Sequence, residues 1–209
     1  MDPALALARS LAGAVPDERI LRAIAAVPRD RFVAESERDR AYENSALPIA
    51  CEQTISQPLV VARMLSLLSP AAGERVLDVG TGSGWHAALL GLLAAEVWSI
   101  ERHAQLSECA AARLAQLGFR NVRCTIGDGW RGLPEQAPFD AINVAAATGP
   151  ELPAALVAQL AVGGRLVAPV GGERHQHLVL ARRTARAVRV EYLEPVRFVP
   201  LVPGAPPDR

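Results

Sequence analysis

The chain has 209 residues, half of them hydrophobic, and its 22 basic and 22 acidic side chains leave no formal net charge. That length buries a sizeable core without disulfide or metal staples, and the balanced charge argues against a nucleic-acid or anionic-membrane partner, which usually demands a basic excess. No apolar run reaches the roughly 18 residues of a membrane span, and the start Met1-Asp2-Pro3 lacks the basic opening of a secretory signal. Three widely spaced cysteines, Cys51, Cys109 and Cys124, fit a reducing cytoplasm. All basic side chains are arginines; the absence of lysine excludes Schiff-base chemistry and a phosphate loop ending in Gly-Lys-Ser/Thr. His175 and His177 have no cysteine nearby and read as a surface strand or loop, so no metal is expected.

Residues 1–70 read as a helical extension. Asp17 is placed to cap a helix running to about Ala26, in which Ile20, Leu21 and Ile24 recur at helical spacing, with Val27 following. Pro28 ends it by pushing Val27 out of helical geometry. Glu35 to Arg40 reads as a solvated helical face. Pro58 suits the first turn of an apolar helix over Leu59–Leu68.

Residues 71–209 change to alternating strands and helices. Strands are expected at Arg75–Val79, Val97–Glu101, Val122–Ile126, Ala141–Val144 and Arg165–Val170. Helices are expected at Trp85–Ala94, Ala104–Leu117 and Leu152–Leu160, the last closed by Gly163-Gly164. Such units with short connections give an α/β fold with a doubly wound, mostly parallel sheet. Leu178–Ala181 and Val188–Leu193 break the rhythm and read as antiparallel strands at the C-terminal end. The two stretches together are read as one domain.

Chemistry concentrates at three strand ends. Val76-Leu77-Asp78-Val79-Gly80-Thr81-Gly82-Ser83-Gly84 is a buried strand ending in a glycine-rich turn that opens a helix, a geometry for nucleotide binding. Its spacing is G-x-G-x-G, and Trp85 stands where a dinucleotide site needs glycine. Glu101 closes the next strand, 21 residues after Gly80, where a carboxylate can accept from both ribose hydroxyls. Gly127-Asp128-Gly129 closes the following strand, with a carboxylate placed for an adenine amine. An adenosine ligand without phosphates suits all three, and S-adenosylmethionine is the candidate, with Asp78 taking its ammonium directly or through water. Taken singly, each piece also has a bland reading: a connecting turn, a surface Glu101-Arg102 pair, an Asp128 turn residue.

The chain is similar to the protein-L-isoaspartate O-methyltransferases from about Val27 to Val202. The matching stretches are Val27-Pro28-Arg29-Asp30-Arg31-Phe32-Val33, Gln53-Thr54-Ile55-Ser56-Gln57-Pro58, the glycine loop, Gly127-Asp128-Gly129, Ala137-Pro138-Phe139-Asp140-Ala141-Ile142, Gly163-Gly164-Arg165-Leu166 and Arg197-Phe198-Val199-Pro200-Leu201. The resemblance implies a Rossmann-like fold and methyl transfer from S-adenosylmethionine, leaving S-adenosylhomocysteine, to the free α-carboxylate of an L-isoaspartyl residue in a damaged protein or peptide. The ester then re-closes to a succinimide, which reopens in part to aspartate. The implied ligand set is Asp78, Gly80, Thr81, Gly82, Gly84, Glu101, Arg102, Gly127, Asp128 and Gly129, with Thr54 and Ile55. Gln53, Thr54 and Ile55 are implied to form a flap over both ligands, with Cys51, Glu52 and Gln53 in the substrate flap. Ser56 is implied at the active centre, its hydroxyl bonding the acceptor carboxylate or shaping the methyl-transfer pocket and not acting as a nucleophile; an N-cap role for it stands beside that reading.

Three places depart from the family pattern. Ala50-Cys51-Glu52 replaces a glycine-aromatic-glycine stretch. Asn143-Val144-Ala145-Ala146-Ala147-Thr148-Gly149-Pro150 carries Asn143 where an apolar residue is usual and is one residue longer. His86 stands where glutamine is common. The changes leave the cofactor motifs intact and bear on the acceptor. Two alternatives follow: a relative methylating another peptide carboxylate, and a non-catalytic scaffold holding an adenosyl ligand. A monomer acting on isoaspartyl substrates, without nucleic acid or membrane, is the expected state.

Overall fold

The computed structural model describes residues 2–204. Asp2 and Asp17 each open a helix by accepting a backbone N–H: α1 (Pro3–Leu11) and α2 (Glu18–Ala26). Val27 is extended before Pro28 and ends α2. Tight 3-10 turns follow at Arg29–Phe32 and Glu35–Arg40, the second with no buried residue. A short hairpin of β1 (Leu47–Pro48) and β2 (Thr54–Ile55) leads into α3 (Pro58–Leu68), with Pro58 in its first turn.

Strand–helix alternation then runs through β3 (Arg75–Val79), α4 (Trp85–Leu93), β4 (Glu96–Glu101), α5 (Ala104–Gln116), β5 (Val122–Ile126), β6 (Phe139–Val144), α6 (Ala154–Ala158), β7 (Leu160–Gly171), β8 (Gln176–Arg183) and β9 (Val188–Val196). The seven strands lie in the order β5-β4-β3-β6-β7-β8-β9. Pairing is parallel from β5 to β7 and antiparallel from β7 to β9. The expected doubly wound, mostly parallel sheet is therefore present, and its last strands run outward in chain order.

Strand periodicity sorts the core onto two faces. Val76, Ala141 and Val167 pack on one face, while Leu77, Val79, Ile142, Val144 and Leu166 pack on the other. Leu7, Leu11, Ile20 and Ile24 of the N-terminal helices share the first of these cores with Trp85, Leu89 and Val97. Packing is thus continuous across residue 70; the last five residues of the 71–209 stretch lie outside the described ones. β3 lies between β4 and β6, so chain order reverses there. The carboxyl ends of β3 and β6 form the switch point at which ligands bind in open α/β sheets.

One helix is shorter than its apolar run predicts. Only Ala154–Ala158 is helical, and β7 starts at Leu160 and passes through Gly163-Gly164. Pro153 excludes helix at Leu152. At the other end Phe139 pairs with Leu160 but Ala141 with Arg165, so residues 161–164 bulge out between two ladder pairs.

Candidate functional site

The glycine loop opens directly from β3. Gly80 and Gly84 have φ of +90° and Gly82 has +53°, a left-handed path that only glycine follows without strain. Glu101, at the end of β4, ties the loop down: its carboxylate accepts from Gly82 N–H at 2.9 Å and His103 N–H at 3.0 Å. Each oxygen keeps a second lone pair, so the carboxylate can still accept from a ribose. Thr81, in contrast, is buried and its hydroxyl bonds Ser99 at 2.6 Å, which makes it part of the loop's support.

Asp128 ends the next strand and accepts from Trp130 N–H at 2.9 Å and from Gly204 N–H at 3.0 Å. A Cβ on Gly129 would lie 2.7 Å from Val79 Cγ1 and 3.2 Å from Leu201 Cδ1, so this turn passes too close to β3 for a side chain. Gly127 and Asp128 line a groove of about 690 Å³ with Ile100. Arg102 points to the C-terminal segment, donating to Val202 O at 3.3 Å.

Asp78 is fully buried beneath the loop. Ser99 Oγ donates to its Oδ2 at 2.8 Å and Asn143 Nδ2 to its Oδ1 at 2.7 Å. Burial pushes its pKa up to about 6, the two hydrogen bonds oppose the rise, and the Glu101 charge adds to it. Direct contact with a ligand ammonium would have to use the remaining lone pairs. His86 lies beyond Asn143, and burial depresses its pKa to about 3, so it is neutral. Among the described residues, His86 Nε2 and Asn143 Oδ1 are buried without a partner, each at a cost of about 1–3 kcal/mol.

A second cavity, a cleft of about 1160 Å³, is lined by Thr54, Ser56, Gln57, Trp130, Ala145, Thr148, Arg197 and Phe198, among others. Ser56 is half-buried at its wall, and its hydroxyl makes no hydrogen bond among the described residues. The cap position of α3 is Gln57, and the first-turn N–H of Leu59 is taken by Asn44 Oδ1 at 3.0 Å. The N-cap reading of Ser56 therefore falls: Asn44 does that work from fifteen residues upstream. Ile55 turns its side chain into the core while Thr54 faces the cleft. Cys51 and Glu52 both adopt φ of +57°, the left-handed geometry that glycine would take without strain. Cys51 Sγ lies 3.5 Å from Gln105 Oε1, and Gln53 Nε2 donates to Cys51 O. Ile49, at the start of the same loop, reaches over Gly82.

Three further elements shape the cleft. Arg29 is wholly buried, and its guanidinium donates to the carbonyls of Ala41, Ser45 and Ser56 while stacking 5.3 Å over Trp85. It thereby joins the Ser56 backbone to the helix that follows the glycine loop. The Phe198–Leu201 segment returns to the end of β6, where Ala147 N–H donates to Val199 O and Leu201 N–H to Ala147 O. The longer loop at Thr148-Gly149 is pinned to the end of β7 through Pro169 and Gly171. Arg29 and Phe198 lie inside stretches that resemble the family; no local signal in the sequence points to Asn44.

The family model for protein-L-isoaspartate(D-aspartate) O-methyltransferase matches residues 4–205. A protein-L-isoaspartate O-methyltransferase of Rhodospirillum rubrum is 54% identical over 191 residues, covering 90% of this chain and 87% of its own. One from Erwinia tasmaniensis is 52% identical over 190 residues, covering 91% and 90%. Among solved structures, a protein-L-isoaspartate O-methyltransferase superposes with a TM-score of 0.86 at 28% identity, over 96% of this chain and 66% of that longer one. A putative Plasmodium falciparum enzyme of the same name, in complex with S-adenosyl-L-homocysteine, gives 0.82 at 25% identity over 95% and 98%. The chain belongs to the protein-L-isoaspartate(D-aspartate) O-methyltransferase family.

Proposed function

We propose that this chain transfers a methyl group from S-adenosylmethionine to the free α-carboxylate of L-isoaspartyl residues in damaged proteins or peptides. The observation that carries this reading is that the Ser56 cleft reaches the glycine loop at the end of β6, where Ala145 lines the cleft and packs against Gly80. Glu101 and Asp128 offer acceptors beside the glycine loop, and the cleft holding Ser56 opens over the end of β6.

When bound, S-adenosylmethionine supplies an electrophilic methyl on a sulfonium. The chain's own residues hold and orient. Gly80, Gly82 and Gly84 let the backbone approach the ligand, Glu101 accepts from its ribose and Asp128 from its adenine amine. Thr54 backs the ligand from the flap. Ser56 donates its hydroxyl to the acceptor carboxylate and aims one oxygen at the methyl. A carboxylate with a reference pKa of about 4 is already ionised at neutral pH, so no general base is needed. Alignment of the reactants and exclusion of water carry the rate, an effect worth roughly 7–11 kcal/mol in favourable cases. Free thiols at Cys51, Cys109 and Cys124 suit a cytoplasmic setting.

The test is methanol release after incubation with S-adenosylmethionine and matched isoaspartyl and aspartyl peptides. Release from the isoaspartyl peptide alone is expected. Release from neither peptide, with S-adenosylhomocysteine still bound, would instead favour an acceptor reshaped by Cys51-Glu52 and Thr148-Gly149.

A further inference from the structure

Asp78 and Asn143 stand opposite each other across β3 and β6, with His86 of α4 behind them. One amide hydrogen of Asn143 goes to Asp78 Oδ1 and the other faces His86 Nδ1 at 3.3 Å. Nδ1 must then accept, which places the ring proton on Nε2. The arrangement leaves Nε2 and Asn143 Oδ1 without partners among the described residues. A buried polar pair of this kind is not explained by packing.

We propose that Asn143, oriented by His86, is a positioning residue for the amino-acid end of S-adenosylmethionine, holding the Asp78 carboxylate beneath the glycine loop to attract the ligand's ammonium. The inference rests on the proposed S-adenosylmethionine site and adds a residue pair to it. Asp78 retains one free lone pair on each oxygen after its bonds to Asn143 and Ser99, but it is wholly buried and lines neither cavity, so its charge acts on the ammonium through the glycine loop or a bridging water and not by direct contact. Because only the ionised carboxylate attracts the ammonium, affinity is lost as pH falls through the Asp78 pKa of about 6. Removing the Asn143 donor destabilises the anion and moves that loss to higher pH. The ionisable neighbours are His86 on α4, Cys124 on β5 and Glu101 on β4. Burial holds His86 near 3 and Cys124 near 11, both outside the range used below. Glu101 faces the ribose and is controlled by a ligand that keeps the ribose.

The experiment is calorimetry on the full chain from pH 5 to pH 8 with two ligands: S-adenosylhomocysteine, and 5′-methylthioadenosine, which lacks the amino-acid end. In the parent, S-adenosylhomocysteine should weaken about tenfold per pH unit below about 6, while 5′-methylthioadenosine stays flat. Asn143→Leu should move the fall upward by about one unit, giving about tenfold weaker binding near neutrality, recovery at pH 8 and no change for 5′-methylthioadenosine. His86→Leu should move it in the same direction, and His86→Gln, which keeps an acceptor for Asn143, should restore the parent profile. If Asn143→Leu does not fold, the two His86 variants give the same reading. An unmoved profile, or equal weakening of both ligands at every pH, overturns the inference and leaves the adenosyl site standing. A parent that binds neither ligand overturns that site and the inference with it.

Discussion

Replacing Arg29 by methionine keeps the length and apolar stem of the side chain and removes its fork. Three carbonyls bound at 3.0 Å or less, of Ala41, Ser45 and Ser56, and that of Glu43 at 3.5 Å lose their donor, and the ring of Trp85 loses a cation 5.3 Å from its centre. A buried acceptor left unsatisfied costs about 1–3 kcal/mol, which puts the loss near 6 kcal/mol for the three short bonds. Against this, burial lowers the Arg29 pKa to about 10, a measure of how poorly the site tolerates charge. Relief of that burden returns about 3 kcal/mol. The net destabilisation should be about 3 kcal/mol, which for a chain of this size lowers the melting temperature by about 6–12 °C. Because one of those carbonyls belongs to Ser56, the effect should extend to the reaction. Urea unfolding should report the stability loss, and isoaspartyl methylation should fall at least about tenfold more than S-adenosylhomocysteine affinity, since misplacement of about 1 Å can cost a hundredfold. A stability cost below about 1 kcal/mol, or equal losses in affinity and turnover, would refute a clamp between flap and loop.

Ser56→Ala should lower turnover by about 10–100-fold with the melting temperature unchanged within about 2 °C, because the hydroxyl supports no cap and makes no bond among the described residues; equal rates of methyl transfer would end its catalytic role. Cys51→Gly and Glu52→Gly should each stabilise the chain by about 1 kcal/mol in urea unfolding, since both residues hold φ of +57°. Glu74 is the partner of buried Arg165 at 2.6 Å; burial raises its pKa, but the hydrogen bonds from Arg165 and Ala71 outweigh that and leave it lowered. Its stabilisation is present above the unfolded carboxyl range near 4.3 and is lost as pH falls through the lower folded value. Glu74→Gln should therefore flatten the acid side of a stability-against-pH curve measured between about pH 5 and pH 2.

The alternation of apolar runs with glycine turns was enough to read β3 through β6 and the doubly wound class, because both depend on local periodicity and short connections. The apolar run over Leu152–Leu160 predicts a longer α6 than Ala154–Ala158 because such a run cannot by itself distinguish a helix from a strand. What shortened it was Pro153 and a bulge that depends on how β6 and β7 register, a property of two strands at once. The same distinction runs through the site. Gly80, Glu101 and Asp128 follow consecutive strands of one half of the sheet, so their spacing in sequence already orders them in space. Ser56 became a candidate only through resemblance, since its own neighbours, Gln57 and Pro58, suit a cap equally well. Asn44 settles the matter by capping α3 from another loop, and its contribution depends on a contact across fifteen residues that no local pattern encodes.

Asn143 was visible as a departure from an apolar position, but its consequence was not. A single polar residue in a buried strand ordinarily counts against the strand, because burying it without partners destabilises the fold. Here two partners come from elements far away in sequence, Asp78 on β3 and His86 on α4, and they meet Asn143 only because the chain reverses its order between β3 and β6. The reversal that opens the ligand crevice at the top of the sheet therefore also brings the three polar side chains together underneath it. A chain that crossed elsewhere would separate Asp78 from Asn143, leaving a carboxylate and an amide buried alone, so the site's polar floor and the sheet's topology stand or fall together.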